Sequence, residues 1–507
     1  MLAAIRSAAL IGIDAYDVFV EVDAAAGLPQ WTMVGLAVGA VKESRERVGA
    51  ALVNSGFSLP PRRITVNLAP ADRRKDGTAF DLPIAIGILA ATGQLDPAAA
   101  ERTLFAGELG LDGTIRAIRG ALSIARHAGQ IDEIETLVIP PPNLSEAGRV
   151  SSTRLSAPHT LRNLVDELKN GGLSYSTWTH VSNRASSPVP DFADVVGQET
   201  AKRALEVAAA GSHNLLMIGP PGAGKTMLAR RLPGILPDLT EEEALEVIAI
   251  HSVAGTLTEN FIGSCERPFR APHHSISSAG LIGGGSSPRP GEVSLAHNGV
   301  LFLDEMLEFP RSVLEGMRQP MEDGRVVISR AATSVRYPAR FTLVGATNPC
   351  PCGRLGDPTG KCVCSGAEVE RYSRRISGPL SDRIDMHISV GAVALRDLAS
   401  PASAESTSDI RERVSRARLR QTERFRKLRG VSCNAHVPGR WLDAHGAIAP
   451  EARSVLERAA TSLALSARGY HRVLKVARTI ADLDGDAEVT ANHISEALRY
   501  RPSGGRS

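Results

Sequence analysis

Apolar positions along this chain follow two rhythms. In residues 1–178, short apolar runs at 17–22, 64–68 and 136–139 predict strands, and apolar residues returning every three or four positions at 41–55, 82–92 and 117–128 predict helices. A Ser-, Pro- and Asn-containing stretch at 179–190 reads as a linker. From 191 to 394, apolar runs at 215–218 and 300–303 and a buried-type run at 341–347 alternate with helical stretches such as 199–209. Runs of that kind are strands covered on both faces of a parallel sheet. From 395 to 507 the helical rhythm dominates, with a polar break at 401–408 and a polar tail from 502. The predicted class is α/β, with an N-terminal α+β domain (1–178), the linker (179–190), an α/β domain (191–394) and a C-terminal helical domain (395–507).

Bulk properties narrow this only a little. The 58 Lys and Arg against 55 Asp and Glu leave a net charge of +3, so charge distribution, not total charge, must decide for or against a nucleic-acid partner. No apolar stretch reaches membrane-spanning length, and residues 1–22 are interrupted by Arg6, Asp14 and Asp17, unlike a signal peptide. The expected location is the cytoplasm, with no membrane partner.

The sharpest chemical signal is the octapeptide Gly219, Pro220, Pro221, Gly222, Ala223, Gly224, Lys225, Thr226, set between an apolar strand and a helical stretch. Its glycines let backbone N–H groups turn inward around phosphates, Lys225 reaches toward the β- and γ-phosphates, and Thr226 offers a hydroxyl to Mg²⁺. The run at 300–303 ends in Asp304 and Glu305. In a doubly wound sheet such strand ends face the ligand, so Asp304 is placed to orient Mg²⁺ and Glu305 to polarise an attacking water. The run at 341–347 ends in Asn348, whose amide suits the same water or the γ-phosphate; a cap or turn role is the alternative. Arg383 stands among acids, which fits either an intradomain ion pair or an arginine finger acting on a neighbour's nucleotide.

These blocks, in this order, resemble the magnesium-chelatase-like ComM/YifB family of AAA+ ATPases. The resemblance is carried by residues 191–198, 219–226, 270–275, 291–305, 345–352 and 477–483, and covers nearly the whole chain. It implies a ring, usually a homo-hexamer, with ATP and Mg²⁺ bound between subunits. It makes Lys225 and Thr226 Walker A, Asp304 and Glu305 Walker B, Asn348 sensor 1, Arg383 the arginine finger (Arg375 a second candidate) and Arg468 sensor 2 (Arg472 a second candidate). The first 178 residues resemble the Lon protease domain, and more closely the Lon-like domain of the recombination ATPase RadA, through residues 75–83 and 110–120. By that alignment Ala79 replaces the serine nucleophile and Leu122 the lysine, so no Ser–Lys chemistry is expected.

Four cysteines crowd together as Cys350, Cys352, Cys362 and Cys364. They suit tetrahedral Zn²⁺; free thiols in a loop are the alternative. Cys265 and Cys433 stand alone. His273 and His274 are expected to serve a loop rather than bind metal. Residues 326–330 and 333–337 predict a hairpin before the 341–347 strand, where Arg330 and Arg336 either track DNA phosphates in a pore or are simply solvated. A glycine-rich loop at 282–287 is a second pore candidate. Arg62, Arg63, Arg73, Arg74 and Lys75 are weaker phosphate candidates. Residues 411–430 hold nine Arg or Lys against two Glu and predict a helix whose basic face is either solvated or laid on DNA.

The leading functional expectation is an ATP-driven ring motor on single-stranded or branched DNA, a branch-migration helicase in recombination or natural transformation, acting with recombination proteins. The alternatives are the ATPase subunit of a magnesium chelatase and a protein-remodelling chaperone.

Overall fold

The computed structural model describes residues 1–150, 153–178, 190–264, 266–285, 287–330, 333–356, 360–391 and 405–501. The linker apart from Pro190, the 401–404 part of the polar break, the tail from 502, the 394/395 boundary, Cys265, Ser286 and the Arg330 side chain lie outside the described residues.

The N-terminal part is built on a seven-stranded mixed sheet in the order Gln30–Val34, Arg63–Ala69, Asp14–Ala25, Leu2–Ile11, Thr103–Phe105, Thr136–Val138, Arg154–Ser156. The helix Asp81–Ala91 is buried along its whole length and crosses the two long antiparallel strands. Its close approach depends on Gly87, where a Cβ would come within 2.6 Å of the Val22 side chain. The strand Leu2–Ile11 is absent from the sequence expectation, because Arg6 breaks the apolar pattern; in the fold Arg6 stays in the strand, opposite Phe19 and Leu104, and its side chain pairs with Asp17 and Glu133. The helix expected from 117 begins at Ala121, since Gly120 takes φ +74 and the Ile118 N–H is held by the Asn143 side chain. Lys75 does not meet the expectation of an exposed phosphate contact. It is fully buried and donates to the Pro70 carbonyl.

The second sheet has five parallel strands in the order Phe269–Arg270, Val300–Leu303, Thr342–Thr347, Leu215–Ile218, Met386–Ser389. Numbered along the chain, that order is 2-3-4-1-5, so the sequence doubles back at the first strand and leaves a crevice at the carboxyl ends there. The Val300–Leu303 and Thr342–Thr347 strands are buried at every position, which explains why they carry no charged residue. The predicted hairpin forms as Arg325–Arg330 paired with Thr333–Pro338. It buries Val326, Ile328, Val335 and Tyr337, and the Tyr337 hydroxyl donates to the Pro288 carbonyl beside the short Gly283–Gly284/Arg289–Pro290 pair.

The C-terminal helices share one core with the helix Glu199–Gly211 and the Leu215–Ile218 strand, through Val414, Phe425, Val473, Ala477 and Ile480. The basic stretch is a helix, Thr407–Phe425, followed by a turn. Much of its basic face is neither solvated nor free for DNA: Arg411 pairs with Asp238, Arg413 with Glu206 and Glu405, and Arg424 with the fully buried Asp482, while Arg418 and Arg420 donate to the Ala209 and Asp482 carbonyls.

The two sheets are joined where the helix Ala121–Ala128 meets the helix Glu241–Ala254. Leu122 packs on Ile248 and Ala249, the Gly120 N–H donates to Ser252 Oγ at 2.9 Å, and Arg149 reaches Glu241 at 2.8 Å and the Ile262 carbonyl at 2.6 Å. Leu122, the position matched to a protease lysine, is a buried apolar contact here. Among the described residues no helix is long and apolar enough to cross a membrane.

Candidate nucleotide site and its surroundings

The loop 219–224 leaves the carboxyl end of the central Leu215–Ile218 strand and turns through Gly222 (φ +79) and Gly224 (φ +83), conformations that an L side chain resists. No atom lies within 4 Å of where a Gly222 Cβ would stand, so the loop is open at that point. Lys225 is buried, with its amine 2.5 Å from the Gly219 carbonyl, 2.9 Å from that of Pro220 and 3.3 Å from Asn348 Oδ1. Burial pulls its pKa below the usual lysine value, while Asp304 and Glu305 oppose that shift. The Thr226 hydroxyl donates to Asp304 Oδ2 at 2.7 Å. The sheet therefore joins residues 78 positions apart into the hydroxyl–carboxylate pair that Mg²⁺ takes in such sites. The donor set thus fits a nucleotide with Mg²⁺: Gly219–Thr226 to cradle phosphates, Thr226 and Asp304 to hold the cation, and Asn348 beside the lysine.

Glu305 follows directly, with φ 50, a backbone setting that costs a non-glycine residue about 1–3 kcal/mol and is over-represented at active sites. Its N–H donates to Asp304 Oδ1 at 3.0 Å and its carboxylate is half-exposed. The His274 ring stands beside it, Nδ1 to Oε2 3.6 Å, tilted 34° against the His273 ring at 4.0 Å and edge-on to Phe309 at 6.4 Å. The sequence places both histidines in a loop, and His273 does brace that loop through Ser275 at 2.8 Å. The neighbourhood of His274 and Glu305 was not legible, because it arises only once Phe269–Arg270 pairs with Val300–Leu303. At 3.6 Å the contact is beyond a good hydrogen bond but within reach of one small side-chain movement. Replacing His274 by Ala is expected to lower kcat for ATP roughly 10-fold with nucleotide affinity retained, and His274→Gln to recover part of it. Equal loss of affinity and kcat in steady-state and binding assays would contradict a positioning role.

The remaining predicted residues lie elsewhere. Arg383 precedes the Met386–Ser389 strand, so it sits at the amino-terminal end of the sheet, opposite the phosphate loop; its carbonyl accepts from Asn214, the residue before the first strand. Its guanidinium pairs with Glu322, and Arg468, largely exposed, approaches the same carboxylate at 3.7 Å. Both line a cleft of about 540 Å³ with Asn214, Arg472 and Lys475. The structure thus brings Arg383 and Arg468 to each other but not to their own chain's Lys225. Arg472 is buried and ties its helix to Asp382 and the Ile384 carbonyl. Arg375 pairs with Glu308, three residues beyond Glu305, at 2.9 Å. Arg336 is exposed on the hairpin. Cys350, Cys352, Cys362 and Cys364 cluster next to Asn348, and Cys433 is buried alone.

Three family models match in sequence: subunit ChlI of Mg-chelatase over residues 20–143, magnesium chelatase, subunit ChlI, over 191–398, and the ChlI C-terminal region over 404–501. The chain is 44% identical to competence protein ComM of Haemophilus influenzae over 99% of its length and 97% of that protein. It is 42% identical to uncharacterized protein YifB of Escherichia coli, again over 99% of the chain and 97% of that protein. The magnesium-chelatase 38 kDa subunit of Rhodobacter capsulatus is 26% identical over 63% of the chain and 90% of that subunit. With a 2-3-4-1-5 parallel sheet, a phosphate loop on its first strand and these matches along the chain, the protein belongs to the magnesium-chelatase-like AAA+ family that includes ComM and YifB.

Proposed function

We propose that this protein is an ATP-driven ring motor that moves branched or single-stranded DNA, serving recombination and the uptake of DNA in natural transformation. Family membership implies ATP hydrolysis with Mg²⁺; the motor on DNA is the further step. The observation that carries it is the split of the site. Phosphate loop, Asp304, Glu305 and Asn348 occupy one end of the sheet, while Arg383 and Arg468 share Glu322 at the other. One chain holds both halves but cannot close them on a single nucleotide, so a second copy supplies the arginines, and repetition of that contact makes a ring, a homo-hexamer in this reading. The arginines then stabilise charge on the departing γ-phosphoryl group, Lys225 and the loop N–H groups orient it, and Glu305 takes the proton of the attacking water. In this reading the cofactors are ATP, Mg²⁺ and, in the cysteine cluster, Zn²⁺. The site of action is the cytoplasm.

The DNA-facing element is the 325–338 hairpin, which projects Arg336 into solvent and is underpinned by the 283–290 pair. The relative named as a competence protein favours this reading. A magnesium-chelatase ATPase subunit is the second reading, favoured by the ChlI models; the Rhodobacter subunit, however, matches only 63% of this chain. The test is ATPase and branch migration by the purified chain with and without a four-way junction. DNA-stimulated turnover and junction movement are expected; indifference to every DNA, with stimulation by chelatase partners, would reject the motor. Arg336→Ala is expected to weaken the DNA stimulation severalfold and to reduce the slope of log affinity against log salt by about 0.7–0.9. An unchanged slope removes the hairpin from the DNA path.

A further inference from the structure

The Sγ atoms of Cys350, Cys352, Cys362 and Cys364 all lie within 4.8 Å of one another. Three of the separations are 3.4 Å (Cys350 to Cys352), 3.7 Å (Cys350 to Cys362) and 3.7 Å (Cys352 to Cys362). A disulfide needs about 2.05 Å, and all four cysteines are free. Four thiolates around one ion at a Zn–S length of about 2.3 Å stand about 3.8 Å apart in a tetrahedron. The cluster thus has the spacing of a tetrathiolate shell, and it is soft-donor only, which selects Zn²⁺ over Mg²⁺. The backbone is arranged to support charge on the sulfurs. Gly353 (φ +78) reverses the chain, with its N–H on the Cys350 carbonyl, and the Leu355 N–H points at Cys350 Sγ at 3.3 Å.

We infer that Cys350, Cys352, Cys362 and Cys364 bind one Zn²⁺, and that this ion is a positioning device for the nucleotide site, holding Asn348 and the phosphate loop in register. The positioning half rests on the ATPase reading; the metal half does not. Three features link the cluster to the site. Asn348 is two residues before the buried Cys350 and accepts from Lys225. Gly353 packs so closely on the loop that a Cβ there would meet Pro221 Cδ at 2.7 Å. Cys364 is followed by Ser365, which caps the helix Gly366–Ser373, and Tyr372 on that helix is buried. The ion therefore ties together the end of the Thr342–Thr347 strand, the turn resting on Pro221, and the helix behind them.

Two measurements separate the halves. Metal analysis of the full chain, purified under reducing conditions and reconstituted with excess Zn²⁺ then desalted, is expected to find one zinc per chain. Co²⁺ in its place is expected to give the visible bands and sulfur charge-transfer absorption of tetrahedral thiolate cobalt. Absence of both from the folded wild-type chain overturns the site, whatever the ATPase does. For the positioning role, Gly353→Ala keeps all four ligands but disturbs the Pro221 contact, and Cys364→Ser removes a ligand. Both are expected to reduce kcat about 10-fold with nucleotide affinity changed less than about 3-fold. A folded chain stripped of zinc that turns over ATP at the wild-type kcat overturns the positioning role and leaves the metal site standing.

Discussion

Lys225→Ala is expected to abolish ATP turnover and to weaken nucleotide binding on the order of 100-fold or more, the largest single effect in the molecule. The lysine amine is buried among the Gly219 and Pro220 carbonyls and the Asn348 amide oxygen. Alanine leaves those acceptors facing one another with no cation, just where the terminal phosphates bring further negative charge. Circular dichroism should be nearly unchanged, because the loop's turns are set by Gly222 and Gly224 rather than by the lysine. Titration with a fluorescent nucleotide analogue checks the binding; affinity within twofold of wild type would mean that this loop is not the phosphate cradle.

Glu305→Gln should separate binding from chemistry. Glutamine keeps the shape and the φ 50 backbone of Glu305 but cannot take a proton. Turnover is expected to fall by about 10²–10⁴-fold, the usual contribution of a positioned base, while ATP affinity stays within a few-fold. Thr226 and Asp304, which hold the cation in this reading, are untouched at 2.7 Å. Single-turnover hydrolysis alongside equilibrium binding measures both. A mutant that hydrolyses at near wild-type rate would assign the base elsewhere, with Glu308 the next acid after Glu305 along the chain.

The strands that carry the nucleotide chemistry were readable because parallel strands buried on both faces write continuous apolar runs, and because the residues ending them, Asp304 and Asn348, sit where such strands deliver ligands. Other features required partners far away in sequence. Leu2–Ile11 looked unlike a strand until Arg6 found Asp17 and Glu133. The arginines of Thr407–Phe425 read as a free basic face, whereas Arg413 and Arg418 are spent on Glu206 and the Ala209 carbonyl, more than 200 positions earlier. His274 became informative only through a strand pair that periodicity does not specify. The shared hold of Arg383 and Arg468 on Glu322 likewise links three segments with no common motif.

The junction at Leu122, Gly120 and Arg149 clamps the seven-stranded sheet to the helix Glu241–Ala254 by apolar, hydrogen-bonded and ionic contacts together. A body mounted in this way acts as an outrigger. The mounting helix lies on the central strands, so each edge stands about three strand spacings, or about 14 Å, away, and a tilt of about 10° at the mount sweeps an edge through about 2.5 Å. Small angular changes at the mount would thus be delivered at the periphery as excursions of about half the spacing between strands.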